Sequence, residues 1–197
     1  MSIDYAPTGY LLSVRELQPL LPTLALLGKL VLVLDADRTL VPHSGIELPE
    51  WWEEFRAEAR RCGFVIIIAS NSPVARKHWE DIENGVYLFN PPSRIQFLFW
   101  LLTLKLKPFT RFLEGALKLP EQEFLPEQVV VVGEDFLRDI IPAKKLNIET
   151  AYLVKPVGEK EFSLDAKLNR QGRLERAMAK HGGPWLAMST SQETPRD

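Results

Sequence analysis

Cysteine is almost missing from this chain of 197 residues. Cys62 stands alone, just before Gly63 at an expected helix end, which excludes an intramolecular disulfide framework and any metal site of several thiolates, and suits a reducing compartment. Histidine is scarce too. His43, His78 and His181 show no ligand spacing, so surface or core histidines are the default reading. Net charge is small: 24 basic and 26 acidic residues leave a formal −2. Bulk electrostatics therefore give no support to a nucleic-acid surface, and any phosphate binding must be local. The opening MSIDYAPTGYLL carries Asp4 early and lacks a basic segment ahead of an apolar core, unlike a secretory leader, so a cytoplasmic protein is expected. No internal repeat is found.

What the chain does have is apolar residues, 46% of the total, enough for one well-packed domain with tails. Apolar runs alternate with helical patterns, as expected of βαβ units that feed a mostly parallel sheet flanked by helices, an α/β Rossmann-like fold. KLVLVLD (29–35), FVIIIA (64–69) and QVVVVGED (128–135) read as buried strands, with shorter strands over 86–88 and 151–154. Helices are expected from Pro49 to Gly63, from the turn Ser70-Asn71-Ser72-Pro73 to about Gly85, beyond Pro108, from Asp139 to Asn147, and over a charged tail from Lys167 to Lys180. Residues 1–27 read as an N-terminal extension, 28–182 as the domain, and 183–197 as a polar C-terminal tail.

Ligands of an open parallel sheet bind beyond the carboxyl ends of its strands. Three strand ends here carry polar groups: Asp35, Asp37 and Thr39; Ser70 and Asn71; and Gly133, Glu134 and Asp135, with Asp139 a turn later. Acids gathered in this way repel one another unless a cation sits among them, and a hard divalent ion with oxygen ligands, Mg²⁺ above all, suits them. Plainer alternatives exist for each group. Asp35 and Asp37 could end a solvated turn, Ser70-Asn71 could cap a helix, and Glu134 and Asp139 could be acids of a helix first turn.

The order of these motifs, D-x-D-x-T after an apolar strand, Ser at the end of the next, Lys before Pro, and G-E-D-x-x-x-D after a later strand, resembles the haloacid dehalogenase (HAD) superfamily of phosphatases. Within it the chain looks most like the subclass IIIA branch of the YqeG type, which is similar to the mitochondrial phosphatidylglycerophosphate phosphatases. The similarity covers roughly residues 10–180, including the tail LNRQGRLER. The resemblance implies a HAD-like fold without a large cap, and Mg²⁺-dependent hydrolysis of a phosphate monoester through an aspartyl-phosphate. Asp35 would be the nucleophile, Asp37 the general acid and then base, and Thr39 a support of that loop. Ser70, with Asn71 and the backbone at the following helix start, would bind phosphoryl oxygens, and Lys107 would offset charge, with Lys105 the competing candidate. Mg²⁺ would be held by Asp35, the Asp37 main-chain carbonyl, Glu134 and Asp139. Two residues depart from the family pattern. Glu134 stands where Asp is usual after the glycine, and Arg38 adds a positive charge beside the site that would help hold an anionic substrate.

Residues 95–104, IQFLFWLLTL, are apolar almost throughout and flanked by Arg94, Lys105 and Lys107. Ten residues are too few to span a bilayer, which takes roughly twenty. A buried core helix is one reading, and contact with a membrane surface or a protein partner is the other. The expectation is thus a phosphatase for a bulky phosphomonoester, phosphatidylglycerophosphate being the candidate that the resemblance suggests. The alternative is a HAD-like scaffold with little or no turnover that binds or assembles through the 95–104 segment.

Overall fold

Runs without a polar side chain form the centre of the sheet because both of its faces are covered. In the computed structural model, which describes residues 7–43, 45–70, 77–89, 109–120 and 122–158, these runs are β2 (Val31–Asp35), β3 (Val65–Ala69) and β5 (Val129–Gly133). They are joined by β1 (Gly9–Leu11), β4 (Val86–Phe89) and β6 (Thr150–Val154). The six strands run in the order β1-β6-β5-β2-β3-β4 with every pairing parallel. The fold is α/β and Rossmann-like, with helices flanking the sheet. Asn71, Lys105, Lys107, the 95–104 segment and the tail expected to be helical lie outside the described residues.

Register explains how one face becomes core. Leu32, Leu34, Ile66, Ile68, Val130 and Val132 alternate along their strands and pack with Leu17, Leu21, Trp52 and Phe55 in one buried cluster. Trp52 and Phe55 come from helix α2 (Trp52–Arg61), which carries Glu53 and Glu54 in its first turn and Arg60 and Arg61 in its last, matching its dipole. Gly63, at φ 81°, ends it. The helix starts at Trp52 and not at Pro49, whose carbonyl instead accepts from the Trp52 N–H in a preceding turn. Phe55 is fully buried, stacked on Trp52 at 5.9 Å and edge-on to Trp51 at 5.9 Å. Phe55→Ala is therefore expected to cost about 3–5 kcal/mol, read as a lower denaturant midpoint with an unchanged slope.

Three further expectations change. Residues 7–27, read as an extension, belong to the same compact unit, Pro7–Gly158. They supply the edge strand β1, a 3₁₀ helix Val14–Leu20 and helix α1 (Leu21–Leu26), whose Val14, Leu17, Leu21 and Leu24 are buried. The long helix expected up to Gly85 is, where described, two short 3₁₀ turns, Lys77–Trp79 and Ile82–Asn84. Asp81 breaks it: its backbone is out of the helical region and its carboxylate accepts from the Asn84 N–H at 3.3 Å and the Asn84 amide at 2.8 Å. Finally, the helix expected from Asp139 begins earlier, as a π-helical turn Phe136–Ile140 that continues into α4 (Ile141–Lys145). Helix α3 (Phe109–Ala116) starts directly after Pro108, as expected, and touches β3 and α4. Among the described residues no helix is long and apolar enough to cross a membrane.

Candidate active site at the carboxyl edge of the sheet

Strand order decides where a ligand can enter. From β2 the chain moves to β3 and β4 on one side, then crosses back to β5 and β6 on the other. The connections that leave β2 and β5 thus diverge, and a crevice opens at their carboxyl ends. Pairing brings Asp35 opposite Ala69 on β3, and Leu34 opposite Val132 on β5. Asp35 and Gly133 therefore end two adjacent strands and Ser70 follows the end of a third, so the described members of the three polar groups singled out in the sequence lie at one edge of the sheet.

The turn after β2 is tightly determined. Ala36 N–H donates to the Ala69 carbonyl at 3.0 Å, while Leu40 and Val41 N–H groups return to the Ala36 carbonyl at 3.0 and 3.2 Å. Thr39, almost wholly buried, donates its hydroxyl to Asp35 Oδ2 at 2.8 Å. Ser70, fully buried, donates to Asp37 Oδ2 at 3.3 Å. Ser70 thus faces the acid pair, a placement that a simple capping role for Ser70-Asn71 does not require. The connection from β2 to β3 holds α2 and short loops, with no further domain among its described residues.

Beyond β5 the acids are organised by a glycine. A methyl group on Gly133 would lie 2.2 Å from both Cγ and Oδ2 of Asp139. Only a bare Cα lets that carboxylate fold back over the strand end, where its Oδ2 accepts from the Asp135 N–H at 2.8 Å. Asp135 is engaged with Arg138, whose Nε lies 3.6 Å from Asp135 Oδ2. Glu134 is buried and its Oε1 lies 4.0 Å from an Arg38 guanidinium nitrogen. The glycine was legible as a strand end but its steric task was not, because the side chain it accommodates lies six residues further on.

Enclosure makes these charges costly. Loss of water around the Asp35 carboxyl raises its pKa from 3.8 to about 7; the Thr39 hydrogen bond opposes this, and Glu134 and Asp37 add to it. Asp139 is raised well above the usual carboxylate range, first by burial and then by the charges of Asp35 and Asp135.

No family description, curated protein or solved structure matches this chain. The site must be judged on its own chemistry. Among the described residues no three His, Cys, Asp or Glu side chains already form a metal cage. The donors gathered here are nevertheless oxygens only, and the acids push one another's pKa upward, a strain that a hard cation relieves. Mg²⁺ keeps several waters and needs only one or two carboxylates, so Asp35 and Asp139 with a main-chain carbonyl make a sufficient set. The residues present fit such an ion.

The strap after β6 escaped sequence reading altogether. Val157 N–H donates to the Arg38 carbonyl at 2.6 Å, and Lys155 N–H to Leu11 at 2.9 Å, so the end of the described chain ties the Asp37–Arg38 turn to the β1 edge. Its one sequence signal is Pro156 and Gly158 directly after an apolar run.

Proposed function

We propose that the chain is a Mg²⁺-dependent phosphatase of the HAD type that hydrolyses a phosphate monoester through a phosphoryl group carried on Asp35. The observation that carries this reading is the buried Asp35 carboxylate, oriented by Thr39, next to Asp37, with the acids of the β5 end facing it across the switch point of the sheet. With Oδ2 engaged by Thr39, the other oxygen of Asp35 attacks phosphorus and the ester oxygen departs with a proton from Asp37. Asp37 then takes a proton from the water that attacks the phosphoryl group, phosphate leaves, and Asp35 is restored. Ser70 holds Asp37 in position through its hydroxyl and would bind phosphoryl oxygens of the substrate. Asp35, Asp139 and the Asp37 carbonyl would hold Mg²⁺, which when bound offsets the charge of the acids and of the phosphoryl oxygens. Lys107 or Lys105 would add a cation from the stretch before α3.

Among the described residues the connection from β2 to β3 adds no domain that could close over the crevice, which favours a bulky ester, a lipid head-group phosphate such as phosphatidylglycerophosphate among them. The test is phosphate release from a panel of lipid and soluble phosphomonoesters with and without Mg²⁺. Release that depends on Mg²⁺ and is lost in Asp37→Ala is expected. Absence of release from every ester would instead favour a scaffold that binds or assembles without turnover.

A further inference from the structure

Arg38 occupies a backbone position that suits it badly. Its φ is 66°, in the left-handed region where a bulky side chain is strained and glycine or asparagine is at ease. Among the described residues the other non-glycine residue with positive φ is Asn147, the tolerated type. Nothing local can relax Arg38, because its N–H donates to the Val41 carbonyl at 2.7 Å and its own carbonyl accepts from Val157 at 2.6 Å. A strained residue fixed at a site from both sides points to use of its side chain.

The guanidinium lies where such a use makes sense. It approaches the buried Glu134 at 4.0 Å, yet the Arg38 side chain keeps 35% of its surface exposed against 9% for Glu134. It therefore stands between the acid cluster and solvent, at the mouth of the crevice. Inside lie Asp35, Asp37, Glu134, Asp135 and Asp139, a field that repels an anionic substrate. The other described arginine near the β5 end, Arg138, is more exposed and is held by Asp135. Glu134, one methylene longer than aspartate, has the reach to hold Arg38 from the neighbouring strand end.

We infer that Arg38 is a specificity-determining residue that receives a second negative group of the substrate, a carboxylate or another phosphate close to the scissile ester, with Glu134 as its positioning residue. The inference rests on the phosphatase reading and narrows its substrate class to esters bearing two anionic groups. A guanidinium suits both carboxylate and phosphate because its donors form a planar fork.

The experiment measures kcat and KM of wild type, Arg38→Asn and Arg38→Lys on phenyl phosphate, phosphoglycolate and propanediol bisphosphate, with the thermal midpoint of each protein. For Arg38→Asn the loss in kcat/KM should be at least about tenfold larger on the two doubly anionic esters than on phenyl phosphate, mainly through KM. Arg38→Lys should recover part of it. A larger loss on one of the two names the second group as carboxylate or phosphate. The Asn variant should melt no lower than wild type, since asparagine tolerates the backbone. Equal losses on all three esters, or a clearly lower midpoint for Arg38→Asn, would overturn the inference while the phosphatase reading stands. A wild-type chain that releases no phosphate from any of them overturns both.

Discussion

Replacing Asp35 with Asn should abolish phosphate release, by at least about 10³-fold, and at the same time make the metal-free protein more stable at pH 8. Both halves follow from one carboxylate. As a nucleophile it cannot be replaced by an amide, which keeps its shape without its charge. As a buried acid it weakens the fold at alkaline pH. Its folded pKa is raised to about 7 from 3.8, so the folded state keeps a proton that the unfolded chain has already lost. Stability from this group is complete below about pH 4, declines as pH rises towards 7, and is gone above. Asn does not ionise, so its advantage over wild type should grow across that window, to roughly 4 kcal/mol and a midpoint higher by on the order of 10 °C. Added Mg²⁺ should raise wild type more than the variant. Thermal scans from pH 4 to 8, run beside the activity assay, check both parts. A variant less stable than wild type at pH 8 would show that burial does not oppose the charge.

Gly133→Ala should be nearly as damaging, although it only adds one methyl group and removes no charge. That methyl would lie 2.2 Å from Asp139 Cγ and 2.5 Å from its Cβ, distances at which something must move. The neighbours cannot move easily, since Gly133 pairs with Leu153 inside the sheet. Asp139 must swing away, and the Asp135 N–H loses its acceptor. A loss of about 3 kcal/mol or more is expected, together with loss of activity. Adding Asp139→Ala to Gly133→Ala should restore much of the stability without restoring turnover, a non-additivity that a double-mutant cycle measures directly. If the two changes simply add, the contact is not the reason for the glycine.

The central strands were legible because burial on both faces imposes unbroken apolar runs: Val31–Asp35, Val65–Ala69 and Val129–Gly133 form strands within two residues of their expected limits. The polar groups that end them were legible for the same reason, since Asp35, Ser70 and Glu134 interrupt runs that otherwise admit no charge. Shorter or locally overridden elements were not. The edge strand Gly9–Leu11 has three residues and pairs with one neighbour, β6, too little for a periodic pattern. Asp81 carries an ordinary helix-surface residue type, and only its bonds to Asn84 reveal that it interrupts the chain. At the site, sequence spacing named the acids but could not show that Gly133 exists for Asp139, that Thr39 and Ser70 each hold a different acid, or that Val157 fixes the turn bearing Arg38. These are contacts between distant segments, set by the sheet register.

The most direct test of Asp35 as the phosphoryl carrier is to stop the reaction after its first half. With p-nitrophenyl phosphate the leaving oxygen needs no proton, so Asp37→Asn should still transfer the phosphoryl group while slowing the water attack that follows. Acid quenching, borohydride reduction and peptide mapping then locate the carrier. A stoichiometric phosphoryl group on Asp35 is expected. Phosphate release with Asp35 unmodified, or a phosphoryl group found on another residue, would contradict it.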